Sequence, residues 1–261
     1  LEPFTTPGTA KLVLTAQNRI TTIADITVMP SSGPFMTVSA VAYDDANNDI
    51  PEYNESGYLD VTFENVGNQA ATNVSAVLSC STPGITITDA NHFISSLAAD
   101  ASVFANNAFA ITIADNIANG TVANFTITMT MSGQDPWTHN FTLTLNAPEL
   151  AFGEMTFSDP TGNNNGRLDP GETVTVTMRL HNNGAAASQS GTATLSCTTT
   201  GITVNTGSAN FSSISAEGYV ELTFNVTAAS SMSQGTLADF VFAATAGQYS
   251  ANATENVEVG A

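Results

Sequence analysis

Three features of the sequence predict an all-β chain of two tandem antiparallel β-sandwiches preceded by an N-terminal β-hairpin. Apolar residues alternate with Thr in runs such as Asn124-Phe-Thr-Ile-Thr-Met-Thr-Met131 and Thr173-Val-Thr-Val-Thr-Met-Arg-Leu180, the period-two signature of half-buried antiparallel strands. Gly, Pro or Asn punctuates these runs about every dozen residues, and no long segment carries a helical apolar stripe. The text also repeats: Val77-Leu-Ser-Cys-Ser-Thr-Pro-Gly-Ile-Thr-Ile87 returns as Thr194-Leu-Ser-Cys-Thr-Thr-Thr-Gly-Ile-Thr-Val204. Cys80 and Cys197, Gly84 and Gly201, and Glu55 and Glu172 are each 117 positions apart (197−80, 201−84, 172−55). A period of that length is a whole domain, not a solenoid unit.

Taken in order, Lys11–Ala16 and Ile20–Val28 read as the two strands of a hairpin, and Met29-Pro-Ser-Ser-Gly-Pro34 as a linker. A lone hairpin is marginal in water, so residues 1–34 are expected to end an upstream domain or to donate strands to a neighbour. The first module, residues 35–148, is expected to hold strands at 35–43, 58–65, 73–79, 84–88, 102–113, 121–132 and 137–146. The second, 149–261, repeats them at 150–157, 173–182, 190–196, 201–205, 219–227, 236–245 and 249–258. Seven or eight short strands per copy describe an immunoglobulin-like sandwich. The joint Asn146-Ala-Pro-Glu149 is short, which leaves little slack between copies.

Charge narrows the partners. Four Lys and Arg stand against 23 Asp and Glu, for a net charge of −19, so the surface offers nothing to a phosphate backbone and nucleic acid is excluded. Anionic membranes are disfavoured for the same reason. With no apolar run of about 18 residues, membrane insertion is not expected. The chain lacks an initiator Met and a signal peptide and reads as a processed piece. The two cysteines occupy equivalent positions of the two copies, so neither copy has a disulfide of its own, and each is expected to be a buried structural thiol.

The run Asn163-Asn-Asn-Gly-Arg-Leu-Asp-Pro-Gly-Glu-Thr-Val-Thr-Val176, followed by Leu180-His-Asn-Asn-Gly-Ala-Ala-Ala-Ser188, resembles the accessory repeats of large secreted bacterial surface proteins. Asn65-Val-Gly-Asn-Gln-Ala-Ala-Thr-Asn-Val74 matches the turn of those repeats in the first copy. The opening Lys11-Leu-Val-Leu-Thr-Ala-Gln-Asn-Arg-Ile-Thr-Thr-Ile23 is similar to the last strands of the immunoglobulin-like domain behind the catalytic domain of gingipain-like cysteine peptidases. The resemblance implies a non-catalytic, extracellular or cell-surface segment whose partner is protein, either an upstream domain or a neighbouring copy.

Two chemistries are expected of particular residues. On the EF-hand loop template Thr161, Asn163, Asn165, Gly166, the Arg167 carbonyl, Asp169 and Glu172 fall at positions 1, 3, 5, 6, 7, 9 and 12, with Asp159 nearby as a substitute carboxylate. The first copy offers Asp44, Asn48, Glu52 and Glu55, so calcium is the candidate ion; the alternative is an Asx-built turn without one. Trp137 at a hairpin tip, with Tyr249 as its counterpart, could stack on a surface glycan. No catalytic site is expected. Cys80 and Cys197 lie inside alternating strands, and His92, His139 and His181 do not recur between copies.

Overall fold

The computed structural model describes residues 8–15, 17, 21–28 and 32–260. Eighteen strands follow in chain order: β1 Gly8–Leu14, β2 Thr22–Val28, β3 Met36–Asp44, β4 Ser56–Asn65, β5 Ala71–Cys80, β6 Ile85–Asp89, β7 Asn91–Leu97, β8 Ala101–Ile113, β9 Thr121–Thr130, β10 Trp137–Leu145, β11 Leu150–Ser158, β12 Thr173–Asn182, β13 Gly191–Cys197, β14 Ile202–Thr206, β15 Ser208–Phe211, β16 Tyr219–Ala228, β17 Thr236–Ala246 and β18 Tyr249–Val259. No helix occurs among the described residues. The described residues fall into two units, one within Leu1–Pro51, Glu55–Ala114 and Val122–Thr144, the other within Glu52–Asn54, Asp115–Thr121 and Leu145–Ala261.

In unit 1 the sheets run β3-β4-β8-β6 and β10-β9-β5-β7; in unit 2 they run β11-β12-β16-β14 and β15-β13-β17-β18. Replacing each strand of the first unit by the one eight places later reproduces the second, so the sequence repeat is a repeat of topology. Each unit is an immunoglobulin-like sandwich of two antiparallel four-stranded sheets.

Alternation builds both cores. Along β12, Val174, Val176, Met178 and Leu180 are fully buried while the Thr and Arg between them face outward. The facing sheet supplies Phe240, Phe242, Ala244 and Ala246 from β17, and Phe242 meets Phe224 and Phe152 across the sandwich with ring centroids 5.7 Å away in both cases. In unit 1 Leu59, Val61 and Phe63 of β4 do the same work, and Phe63 stacks on His92 at 5.5 Å. Each large side chain so buried contributes about 1.5–3 kcal/mol.

Two strands were not expected from the sequence. β7 and β15 each follow the preceding strand after a single residue, Ala90 or Gly207, yet lie in the opposite sheet. The chain crosses between sheets there, held by Leu78 N–H donating to the Ala90 carbonyl (2.8 Å) and Leu195 N–H to that of Gly207 (2.9 Å). The expected segments 84–88 and 201–205 were each only the first half of such a crossing.

The hairpin is present as β1 and β2, paired from Gly8 with Val28 to Leu14 with Thr22 and bonded to no other strand among the described residues. The Ala16 and Ile20 ends expected for its strands, Arg19 at its turn, and the start of the linker at residues 29–31 lie outside the described residues.

Candidate functional site

Two clusters of polar groups recur in both units. The first is a buried amide. Asn65, at the end of β4, and Asn182, at the end of β12, are 117 positions apart, and both are fully buried. Asn65 Oδ1 accepts the N–H groups of Phe35 (3.0 Å) and Gly67 (3.1 Å). Its Nδ2 donates to the carbonyls of Gln69 (2.8 Å), Leu97 (3.1 Å) and Ala98 (3.2 Å). Asn182 repeats the set: Oδ1 accepts Glu149 N–H (2.9 Å) and Gly184 N–H (3.1 Å), and Nδ2 donates to Ala186 (2.8 Å), Ile214 (3.1 Å) and Ser215 (3.2 Å).

One side chain thus ties together three separate pieces of backbone: the segment entering the module, the turn after the central strand, and the turn leaving the crossover strand. Only a planar amide supplies acceptor and donor from one short stem. The turn glycine completes the arrangement. A Cβ on Gly67 would overlap the backbone of Gly33, Pro34 and Phe35, and one on Gly184 that of Ala147, Pro148 and Glu149. Sequence reading found this Asn-x-Gly turn but not that its Asn is the anchor.

The second cluster is the acidic loop. Asp159 is 1% exposed; its Oδ1 accepts Gly166 N–H (2.9 Å) and its Oδ2 accepts Asn165 N–H (3.2 Å). Burial pushes its carboxyl up, but the N–H groups of Gly166, Asn165, Asp159 itself and Asn164 together outweigh that and hold it below the ordinary value. Asp45 is its counterpart in unit 1, for Asp45 directly follows the last residue of β3 as Asp159 directly follows that of β11. Asp45 Oδ1 accepts the N–H groups of Asn47 (2.8 Å), Asn48 (3.0 Å) and Asp49 (3.0 Å). Burial again pushes upward and the N–H donors win, leaving Asp45 below its ordinary value.

The expected metal residues sit around these anchors. Asn163 Oδ1 accepts Asn165 N–H (3.0 Å) and Asn165 Oδ1 accepts Arg167 N–H (2.9 Å), while both Nδ2 groups donate to Asp169 Oδ2 (2.7 and 2.8 Å). Glu172 Oε1 accepts Asn163 N–H at 3.0 Å, and Glu172 Oε2 is shielded from solvent without a hydrogen-bond partner. Thr161 lies on the exposed side of the loop, and the buried Leu168 fixes the loop to the core, its carbonyl accepting Gly260 N–H at 2.9 Å. In the first copy Asp44 Oδ1 accepts Ala46 N–H (2.9 Å) and Asn48 Oδ1 accepts Ile50 N–H (2.9 Å). Glu52 belongs to unit 2, whereas Asp44, Asn48 and Glu55 belong to unit 1. Among the described residues no three His, Cys, Asp or Glu side chains gather closely enough to hold a metal ion by themselves.

Trp137 is buried, 9% exposed, with its ring edge-on to Phe35 at 6.4 Å. A sugar-stacking platform needs an open ring face, which Trp137 does not present. Its place at the start of β10 puts it in the core face of the sheet rather than at a hairpin tip. Tyr249 lies within unit 2 with its hydroxyl donating to the Ile117 carbonyl (2.9 Å) and its ring edge-on to Tyr53 at 5.1 Å. Burial, with Tyr53 and Asp115 adding to it, pushes its phenol up to about 12.

The histidines meet aromatic rings: His92 stacks on Phe63, His139 on Phe141 at 6.4 Å, and His181 leans on Tyr219 at 5.5 Å. The thiols of Cys80 and Cys197 are free and half-buried at strand ends, opposite Phe125 and Phe240. Burial lowers His92, partly countered by Asp89, and burial lowers His139. The folded unit 1 therefore resists protonation that the unfolded chain accepts near 6.5. Stability is lost as pH falls below that value, through the window down to the folded-state values. Fluorescence melts of Trp137 between pH 7.5 and 5 are expected to show a falling Tm; a flat Tm would contradict it.

No family model matches the chain, and no curated protein matches it. Among solved structures it is similar to red sea bream transglutaminase, at 12% identity and a TM-score of 0.33 over 87% of this chain and 31% of that one. It is similar to a protein of unknown function from Porphyromonas gingivalis W83, at 12% identity and a TM-score of 0.27 over 84% of this chain and 99% of that one. It is also similar to the native conformation of E. coli alpha-2-macroglobulin, at 11% identity and a TM-score of 0.33 over 92% of this chain and 18% of that one. The chain thus spans under a third of the transglutaminase and the macroglobulin.

Proposed function

We propose that the chain is a non-catalytic pair of spacer or adhesion modules from a secreted or cell-surface bacterial protein, with protein as its partner. The observation that carries this reading is the repeated buried Asn, which spends the most elaborate polar network of each unit on locking the module's entry segment to its core. A module that carries load between neighbours needs its ends fixed to its core. The partnering of the conserved-geometry amide is entirely internal, so it serves architecture and leaves no group over for a substrate.

Single-molecule pulling through the two termini tests this. Two unfolding events are expected, each releasing about 110 residues at about 3.6 Å per residue. Smooth extension at low force, without such events, would contradict a load-bearing role.

The acidic loop supports a second, compatible reading, in which calcium stiffens unit 2. What favours it is the shielded Glu172 Oε2 in a loop that also carries Asp159 and Asp169 and is rich in hard oxygen donors. Asp159, Asp169 and Glu172 would hold the ion with Asn163, Asn165 and the Arg167 carbonyl, the two Asn amides giving up their present bonds to Asp169. Extracellular modules bind calcium with Kd of about 10⁻⁴–10⁻³ M, so 5 mM calcium is expected to stabilise unit 2 by about 1–2 kcal/mol. Glu172→Gln should remove most of that gain; a wild-type Tm unchanged between calcium and EDTA removes the hypothesis.

A further inference from the structure

We propose that β1 and β2 are the closing hairpin of a third sandwich of this same type, and that their apolar face is covered by that sandwich's other six strands, N-terminal to Gly8 in the same polypeptide. The pairing of Ala10 with Ile26, Leu12 with Ala24 and Leu14 with Thr22 puts Ala10, Leu12, Leu14, Ala24 and Ile26 on one face. The other face carries the Lys11–Asp25 pair, at 3.2 Å, beside Val13 and Ile23, which are 53 and 61% exposed. The first face is the more apolar, without a charged side chain, yet its Leu12, Leu14 and Ile26 are 41, 56 and 46% exposed.

The last hairpin of unit 2 shows what such a face is for. Register places Ala238, Phe240, Phe242 and Ala244 of β17 opposite Val257, Glu255, Ala253 and Ala251 of β18, and the apolar members of that face close the core of unit 2.

Chain order gives the occupant. The backbone of Gly33, Pro34 and Phe35 packs on Gly67 and is held by Asn65, as that of Ala147, Pro148 and Glu149 packs on Gly184 and is held by Asn182. The two joints are equivalent, and what precedes the second is the closing hairpin of a sandwich, β9 and β10. By the same order β1 and β2, which precede the first, close a sandwich before it. Charge agrees: residues 1–34 balance Lys11 and Arg19 against Glu2 and Asp25, so the whole net charge of −19 lies beyond them. A neutral hairpin carries no net charge for a docking face to repel. The inference adds a module to the spacer reading, which rests on the two complete sandwiches and survives if this one fails.

Hydrogen exchange on the 261-residue chain, and on a chain extended upstream by the natural sequence over a length like that from Leu150 to Ala228, tests it. In the shorter chain the paired amides of β1 and β2 are expected to exchange freely at every protein concentration. In the longer one they should slow by at least about 100-fold, toward the rates of β4 and β12. Three results would overturn the proposal: hairpin amides that stay fast in the extended chain, a natural upstream sequence without the six-strand pattern and its Asn-x-Gly turn, or hairpin protection in the shorter chain that grows with concentration. The last would assign the face to a second copy.

Discussion

Replacing Asn182 by Ala is expected to destabilise unit 2 by about 3–4 kcal/mol, and Asn65→Ala to do the same to unit 1. Each change leaves two N–H groups and three carbonyls of fully or partly buried backbone without their partner. Each stranded group costs about 1–3 kcal/mol before relaxation and water entry recover part of it. Asn→Asp is the sharper variant because it keeps the shape. The carboxylate still accepts the two N–H groups but turns a negative oxygen toward three carbonyls, so it should be at least as harmful as Ala. Urea unfolding measures both; an Asp variant as stable as wild type would show that the donors do not matter.

Gly184→Ala and Gly67→Ala carry the second large effect, about 3 kcal/mol each. The added Cβ would meet backbone atoms of the entry segment rather than the movable end of a side chain, and that segment is already fixed by the neighbouring Asn. Gly120 makes the control. It has a φ of +74° but nothing within 4 Å of its would-be Cβ, so Gly120→Ala should cost only about 1 kcal/mol from the backbone conformation. Equal losses at Gly184 and Gly120 would mean that the joint yields easily.

The strands were legible because Thr alternates with Phe, Ile, Met, Val and Leu, and the solvent face and core face then follow from the pleat. The second halves of the crossovers were not. Asn91-His-Phe-Ile-Ser-Ser-Leu97 and Ser208-Ala-Asn-Phe211 are short, polar and separated from the preceding strand by one residue, so nothing in their composition reports a change of sheet. The Asn anchor was half legible. The Asn-x-Gly turn repeats in the text, but an Asn at a strand end is ordinarily a solvated turn residue. Its burial depends on partners some thirty residues away in both directions, Phe35 and Leu97, which pattern reading cannot bring together.

The acidic loop shows a different limit. Expectation aligned the two copies throughout on the 117-residue period and so began the first loop at Asp44. The first strands are related by a shorter spacing, Met36 to Leu150 and Asp44 to Ser158, which makes the loop three residues longer in the second copy. The residue that organises the first loop is therefore Asp45, whose carboxylate collects three N–H groups. Trp137 was expected at a hairpin tip for a related reason: the turn motif marks where the chain bends, while the pleat of β10 sets the ring inward.

Two equivalent sandwiches are each pinned by their own Asn, and Trp137, the single tryptophan, makes this measurable. Its ring is buried against Phe35, next to the Asn65 network and within unit 1. Thermal unfolding of Asn182→Ala followed at once by Trp137 fluorescence and far-ultraviolet circular dichroism is the direct test. The fluorescence transition is expected to stay where it is in wild type while about half the dichroism change moves to lower temperature, and Asn65→Ala is expected to reverse the pattern. A single transition in which both signals shift together for either variant would contradict it.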